Sequence, residues 1–306
     1  RRCLGTVGGG HPPTAQRCTP RRLSPRPHGN TGRVARPPVA TVAASGKLTL
    51  MHERPELAVV TAGTASGPAS SWQTSFLAHA GQHRDVLSMA GAAEGAGTHE
   101  RGLRTLGRSL ATFQLGESGT GEHLFAAAAD AGVDAAHAAA LRLFVAEEQE
   151  HARLLALVLD ELGVPRRHDH WTDAVFVRLR RAHSLRSEVL TLLVAEVIAI
   201  AYYGALRDGI PAGVLQDVFA RIHADEVRHV EFHAQTFPPH LRHSPVVARL
   251  AARLIWNVLV LGASLVVAVD HGAALAVAGT RRREFLARVG RARRQLDRRL
   301  FGPAPI

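Results

Sequence analysis

The stretch EEQEHARLL, residues 147–155, places three acidic side chains and one histidine against leucines on a predicted core helix. Residues three apart lie on the same face of a helix, so Glu148 and His151 project together toward one neighbour. The stretch HADEVRHVEFH, residues 223–233, repeats this spacing with Glu226 and His229. Two Glu-x-x-His pairs on separate helices predict a shared site inside a bundle.

One carboxylate stands alone in an apolar run of the helix between these two stretches. In VLTLLVAEVIAIAYYGAL, residues 189–206, Glu196 is the only charged side chain. An ionised carboxylate buried alone costs several kcal/mol, so it must be protonated, paired with a cation or bound to a metal. No Lys or Arg on a predicted inner face offers itself as a partner, which favours a metal.

The spacing of the glutamates indicates an internal repeat. Glu196 precedes Glu226 by 30 residues, and Glu117 precedes Glu148 by 31. The spacing therefore predicts two copies of one helical hairpin, each with a lone Glu and a Glu-x-x-His pair. Four carboxylates and two imidazoles are predicted to meet in the middle.

Six helices are predicted around these residues. They cover residues 104–131, 134–163, 173–208, 212–237, 245–277 and 281–300. Asp134 is a predicted N-cap of the second, and Pro238 and Pro239 end the fourth. No alternating strand pattern competes with this reading, so the predicted class is all-α, most simply a helical bundle with an apolar fifth helix and a basic C-terminal helix.

The net charge of +11 is concentrated at the two ends of the chain. Residues 1–50 carry +9 and residues 281–306 carry +7, which leaves −5 on residues 51–280. A basic groove for nucleic acid is therefore not expected in the part that can fold. Both cysteines, Cys3 and Cys18, lie near the N-terminus, so a metal in the body must take oxygen and nitrogen ligands.

The N-terminal third lacks apolar periodicity. Residues 1–50 are rich in Pro, Gly and Arg and are predicted to be disordered. Their composition is that of an organelle transit peptide, and the alternative is sequence upstream of a start at Met51. Residues 52–100 are predicted to be a mobile lead-in. The expected organisation is an extension at 1–100, a metal-binding bundle at 101–240 and packed C-terminal helices at 241–306.

The fifth predicted helix contains LIWNVLVLGASLVVAV, residues 254–269, without a charge. Sixteen residues fall short of the roughly 20 that span a bilayer, which favours a buried core helix. The alternative, a helix that spans a membrane, requires that Asp270 and His271 find partners inside a bundle. These two residues directly follow the apolar run.

The layout of residues 105–237 resembles the ferritin-like di-iron carboxylate superfamily. It is similar, more narrowly, to bacterial ferritin-like proteins with LGE, EEQ-x-H and DE-x-x-H in this order. The resemblance implies a ferritin-like four-helix bundle with a long crossover and two iron ions; Mn or a mixed Fe/Mn pair suits the same donors. The ligands it implies are Glu117, Glu148, His151, Glu196, Glu226 and His229.

The residue before each motif glutamate is also acidic. The resemblance implies that Asp225 bonds His151 and that Glu147 bonds His229, because a metal-bound histidine directs its second ring nitrogen to an acceptor. The alternative is that both acids are solvated on the outside of their helices.

Several other residues compete for a role. Glu122 is an alternative to Glu117, although five residues along a helix place it on another face. His223 is either a seventh ligand or a half-exposed surface histidine. His233 is expected to line the bundle beyond the site, hydrogen-bonded rather than metallated. Tyr203, on the face of Glu196, either packs or transfers electrons.

The GESGTGE run, residues 116–122, follows no strand and has no GK[ST], so it is not a phosphate loop. Its glycines, placed within the first predicted helix, are expected to let a neighbouring helix or a substrate approach the metals closely.

The resemblance implies an oxidase or oxygenase that activates O2 against an unidentified small organic substrate. The alternatives are a ferroxidase or iron-binding protein without organic substrate, and a structural site with no metal. The expected partners are O2, a small molecule and an electron-donor protein. A homodimer is compatible with the sequence. Neither a membrane nor nucleic acid is expected as a partner. The expected location is cytoplasmic.

Overall fold

The computed structural model describes residues 67–80, 91, 99–171, 175, 178, 184–238, 241 and 244–302. Every regular element in these ranges is a helix, so the predicted all-α class is confirmed. The expectations for residues 1–66, including disorder and a start at Met51, lie outside the described residues. So do most of residues 172–183, which contain the predicted start of the third helix.

The described residues form nine helices. They are α1 Pro68–His79, α2 Glu100–Glu117, α3 Glu122–Asp130, α4 Ala135–Glu161, α5 Leu185–Gly209, α6 Val214–Thr236, α7 Val246–Asp270, α8 Gly272–Val277 and α9 Arg282–Phe301. Helix α2 packs on α4, α5 packs on α6, and α4 and α6 join the two pairs into a helical bundle. Helices α7, α8 and α9 pack on this bundle, mainly against α5 and α2.

The ends of α4 follow the sequence signals. Asp134 is the N-cap, and its Oδ1 accepts a hydrogen bond of 2.7 Å from the backbone N–H of His137. Gly163 follows the last turn with φ of 61°, a backbone conformation that glycine adopts without steric cost. These two signals fix a 27-residue helix, long enough to carry Glu148 and His151 at its middle.

The first predicted helix, 104–131, is two helices. The chain leaves helical geometry after Glu117 and re-enters at Glu122, and Gly121 caps α3 with φ of 74°. A Cβ atom on Gly121 would lie 2.8 Å from a methyl of Val145 on α4. The expectation that these glycines all sit within one helix was wrong: Gly116 lies in α2, but α2 ends at the C-cap Ser118, and the left-handed Gly121 is the N-cap of α3. The fifth predicted helix also divides, at His271, into α7 and α8.

Helix α1 corrects the expected lead-in at residues 52–100. Phe76 is 2% exposed and packs edge-on against Phe232 of α6, with ring centroids 5.3 Å apart. Trp72 donates a hydrogen bond of 2.9 Å from Nε1 to Oε1 of Gln235. At 12 residues the helix is too short to show a clear period beside its Gly, Ala and Ser-rich flanks. The bundle therefore includes residues before 101.

Helix α5 is the centre of the core. Side chains are buried around its whole circumference, including Leu193, Val197, Tyr202 and Leu206. Full burial of one such side chain contributes about 1.5–3 kcal/mol. A helix that is apolar on every face must be covered on every face, and α3, α6, α7 and α9 supply that cover.

Helix α7 is not a buried core helix, and that prediction was wrong. Only Trp256, Val260, Ser264 and Ala268 are buried, along one stripe. Helices α5 and α7 are both long and apolar enough to cross a membrane, but 78% of the α5 window is buried inside the protein and only 22% of the α7 window. Composition alone could not separate the two, because it does not show which neighbours cover a helix.

Candidate metal centre

The six predicted ligands come together inside the bundle. They are Glu117 at the end of α2, Glu148 and His151 on α4, Glu196 on α5, and Glu226 and His229 on α6. They fall into two overlapping groups, Glu117 with Glu148, His151 and Glu226, and Glu196 with Glu148, Glu226 and His229. Within each group the donor atoms lie within 4.8 Å of one another. Each group could hold a metal ion, and Glu148 and Glu226 belong to both.

Both histidines turn Nδ1 toward the carboxylates. Nδ1 of His229 is 2.7 Å from Oε1 of Glu148 and 3.7 Å from one oxygen each of Glu196 and Glu226. Nδ1 of His151 is 3.4 Å from Oε1 of Glu226 and 4.0 Å from Oε1 of Glu148. The ring centroids are 5.6 Å apart, and neither ring is exposed. The two imidazoles therefore face one shared group of oxygens.

Several of these donor atoms lie close to one another but form no well-directed hydrogen bond within the part of the chain that is described. They are Oε1 of Glu148, Oε2 of Glu196, Oε1 of Glu226 and Nδ1 of His229. Leaving a buried polar atom unsatisfied costs about 1–3 kcal/mol. Four such atoms converging on one point are what a metal cation would satisfy together. Carboxylate oxygen with imidazole nitrogen is a donor set that suits Fe or Mn.

The carboxylates disturb one another strongly. Burial raises the pKa of Glu117 and of Glu196, and repulsion from Glu148 and Glu226 raises both further. Burial would also raise the pKa of Glu226, but hydrogen bonds with Glu196, His151 and His229 hold that pKa well below its usual range. The interior thus combines protonated and ionised carboxyl groups, as expected where like charges cannot all ionise.

Burial acts on the histidines in the opposite direction, because it lowers the pKa of an imidazole. Burial alone would lower the pKa of His151, but hydrogen bonds to Asp225 and Glu226 raise it to about 9. Burial is likewise outweighed at His229, where Glu148 and Glu147 raise the pKa well above its ordinary value. The surroundings of both rings favour positive charge, so a cation bound among these carboxylates would replace the protons that the site attracts.

Two acids orient the histidines across the α4–α6 interface. Nε2 of His151 is 3.1 Å from Oδ2 of Asp225, and Nε2 of His229 is 2.9 Å from Oε2 of Glu147. Glu147 is 4% exposed and Asp225 is 1% exposed, so neither is a solvated surface acid. Each acid fixes the ring on the opposite helix with Nδ1 directed into the site.

Arg228 was missed by the sequence analysis. Its Nη2 donates a hydrogen bond of 2.8 Å to Oε1 of Glu147, and its Nη1 donates to Oδ1 of Asp225. One guanidinium thus connects the two orienting acids and offsets their charge. The available signal was its spacing, since Arg228 follows Asp225 by three residues and lies on the same helix face.

Comparisons of the chain with protein-family models, with curated proteins and with solved structures give no match. The capacity to bind metal is therefore argued from the chain's own residues.

Tyr203 contacts the site directly. Its buried hydroxyl donates a hydrogen bond of 3.1 Å to Oε1 of Glu117, and burial together with the charge of Glu117 raises the pKa of the phenol. The neighbouring Tyr202 stacks on Phe113 at 3.9 Å and shares a hydrogen bond of 2.6 Å with Ser109. Tyr203 therefore holds a predicted ligand as well as packing in the core.

The remaining candidates lie outside both donor groups. Glu122 is exposed on α3. His223 is half-buried, and its Nδ1 lies 3.0 Å from Nη1 of Arg207. His233 is buried one turn beyond His229, where burial lowers its pKa to about 3. Its expected hydrogen bond is not found at Nε2, which has no partner among the described residues.

A cavity of about 510 Å³ adjoins the site. Glu117, Glu148, Glu196 and Glu226 form part of its wall. Apolar side chains form most of the rest, including Phe113, Leu124, Phe144, Ile198 and Val266. A larger groove of about 730 Å³ near Arg104 and Arg166 touches none of the six predicted ligands. Small-molecule sites are typically apolar clefts of about 300–1,000 Å³ with a few polar groups, which describes the first cavity.

Proposed function

We propose that this chain is a ferritin-like carboxylate protein that binds two iron ions and uses them to oxidise a small organic substrate with O2. Mn or a mixed Fe/Mn pair suits the same donors. The observation that carries the proposal is the overlap of the two donor groups at Glu148 and Glu226. Two carboxylates common to two ligand sets are what a pair of metals about 3.5–4 Å apart requires.

The two groups assign the ligands of each metal. Glu117 and His151 would hold one ion, Glu196 and His229 would hold the other, and Glu148 and Glu226 would bridge them. When bound, ferrous ions supply the electrons with which O2 is reduced. The four glutamates would neutralise four positive charges of two divalent ions, which explains why so many acids lie in an apolar interior.

The surrounding residues keep the site in place and exclude water from one side of it. Asp225 and Glu147 hold the imidazole rings in one orientation, and Arg228 holds both acids. Tyr203 holds one oxygen of Glu117. Buried Phe144, packed edge-on 4.8 Å from the ring of His229, excludes water on that side.

The cavity favours an organic substrate over simple iron oxidation. The wall is mainly apolar apart from the glutamates, which suits an organic molecule better than a hydrated ion. A volume of about 510 Å³ accommodates a small organic molecule next to the site.

Metal analysis and O2 consumption test the proposal. We expect about two iron ions per chain, as the two donor groups require, and O2 uptake by the reduced protein that increases when compounds from a library of small apolar molecules are added. Glu117→Ala should lose metal, whereas the matched control Glu122→Ala, an exposed acid in the same sequence run, should not. O2 uptake driven by Fe(II) alone would favour the ferroxidase alternative, and full-length protein without metal would reject both.

A further inference from the structure

Helix α7 carries a continuous apolar surface that none of the described residues covers. We call it the α7 ridge, and it consists of Val247, Leu250, Leu254, Val258, Leu261, Leu265 and Val269. The spacings of three and four residues place these side chains on one helix face. Their exposed fractions range from 49% to 78%, and none of them is charged. Contiguous apolar patches of this kind on soluble proteins mark interaction sites.

The opposite face of α7 is attached to the protein. Its buried stripe runs from Trp256 through Val260 and Ser264 to Ala268, in the C-terminal part of the helix. With one side packed on protein over this part, α7 lies along the surface of the molecule. At 25 residues it is about 37 Å long, so the ridge is an extended strip rather than a local patch.

A strongly basic helix lies beside the ridge. Helix α9 contacts α7 through the ion pair of Arg253 with Asp297, at 2.6 Å, and through the rings of Trp256 and Phe301. It contains eight arginines and two acids, a net charge of +6. Exposed arginines on α9 that form no ion pair with any described residue are Arg282, Arg283, Arg291, Arg294 and Arg298.

We infer that the α7 ridge binds the surface of an anionic lipid bilayer. The apolar side chains of α7 enter the boundary between headgroups and acyl chains, and the arginines of α9 contact lipid phosphates. An apolar helix face flanked by free arginines is the combination that holds peripheral proteins on anionic membranes. The expectation of no membrane partner depended on burial of this helix, and the helix is exposed.

Charge favours lipid over a second copy of the chain as the occupant. Ridge-to-ridge association would bring two α9 helices, each with a charge of +6, onto neighbouring surfaces, where they repel. Anionic headgroups attract the same arginines. Each arginine near such a surface contributes about a fivefold increase in membrane affinity.

The ridge also borders the cavity beside the proposed metal site. Val258 and Gly262 of α7 line that cavity and are themselves exposed. The cavity therefore reaches the surface at the ridge, and a membrane-bound molecule would receive a hydrophobic substrate dissolved in the bilayer. This substrate class rests on the proposed function, whereas membrane binding does not.

Flotation of the full chain with vesicles tests the inference. The probes are vesicles of phosphatidylcholine alone and of phosphatidylcholine with phosphatidylglycerol. We expect binding to the anionic vesicles and at least tenfold weaker binding to the neutral ones, with binding reduced by added salt. Leu254→Glu with Leu261→Glu should reduce binding at least tenfold, and Arg294→Gln with Arg298→Gln should reduce it about 25-fold on anionic vesicles.

The matched control is Val227→Glu, which adds the same charge at an exposed valine of α6, away from the ridge. It should bind vesicles like the unmodified chain. Glu196→Ala, which weakens the proposed metal site, should also bind unchanged, so loss of metal and loss of membrane binding are separable results. No flotation, or a dimer in solution that Leu254→Glu converts to monomer, would overturn the inference.

Discussion

Oε2 of Glu147 on α4 lies 2.9 Å from Nε2 of His229 on α6, and this contact fixes which ring nitrogen faces the carboxylate cluster. The reciprocal contact joins Asp225 of α6 to His151 of α4 at 3.1 Å. The two helices thus orient each other's histidines. Because Arg228 bonds both acids, the arrangement behaves as one connected unit.

Glu147→Gln should weaken metal binding about 10–100-fold, the usual cost of losing an outer partner of a metal-bound histidine. The amide retains the shape of the side chain but loses the charge that Arg228 and His229 recognise. Competition with a chelator of known affinity measures the change. Glu150→Gln, at the neighbouring half-exposed position paired with Arg153, is the control and should bind metal normally. Equal losses in both variants would contradict a specific role for Glu147.

Glu196→Gln should stabilise the metal-free protein and destabilise the metal-loaded one. Without metal, a buried carboxylate next to Glu226 is costly, so its removal should raise the free energy of unfolding by about 1–3 kcal/mol. With metal present the same change removes a ligand. Thermal unfolding with and without Fe(II) measures both the gain in stability of the metal-free protein and the loss in the metal-loaded protein. A variant that is less stable in both states would mean that Glu196 has a structural role only.

The stabilisation that metal provides should increase with pH. The pKa of Glu117 and of Glu196 is raised above 4.5, and that of His151 is raised from 6.5 to about 9. A raised pKa contributes stability below the unfolded-state value and loses it as pH rises through the folded-state value, so the stability that these three groups give the metal-free protein falls from about pH 5 to pH 9. Metal binding displaces the same protons and becomes tighter over this range.

The corresponding measurement is the shift in Tm on adding Fe(II) anaerobically, or Mn(II) in air, at pH 5, 6, 7 and 8. A shift that is constant over this range, or that declines with pH, would contradict the coupling. Proton release on binding, followed with an indicator dye, provides a second readout that does not depend on unfolding.

Gly121→Ala should destabilise the protein by at least about 1–2 kcal/mol, the cost of left-handed backbone for a residue with a Cβ atom. The added methyl would also lie 2.8 Å from Val145 and 2.9 Å from Phe125. Gly116→Ala is the control, because it lies within α2 and its Cβ would meet no atom within 4 Å. It should be neutral or stabilising by up to about 1 kcal/mol. Chemical denaturation compares the two, and a Gly121→Ala protein as stable as Gly116→Ala would show that the tight approach to α4 is unimportant.

The periodicity of the chain was sufficient for most helices of the bundle, though not for α1 or the break after α2, and for the residues that now lie together. Glu196 could be singled out because one charge in an apolar helix needs a partner, and Glu148 with His151 because three residues separate them. Each of these signals lies within one stretch of sequence and has a physical explanation of its own.

Other features depend on tertiary contacts that have no local signal. The close approach of α4 to the start of α3 joins Gly121 to Val145, which lies 24 residues further along the chain. The bond from Tyr203 to Glu117 joins residues 86 positions apart. The exposure of α7 depends on which helices cover it. Helices α5 and α7 are similarly apolar, yet α5 is mostly buried and α7 is mostly exposed.

Helix α1 sets a practical boundary for recombinant versions of this protein. The ring of Phe76 lies 6.1 Å from that of His229 and shields it from the outside. A shortened version that begins at α2 would let solvent reach the imidazole from this side. Expression plasmids intended to preserve the centre should therefore start upstream of Pro68.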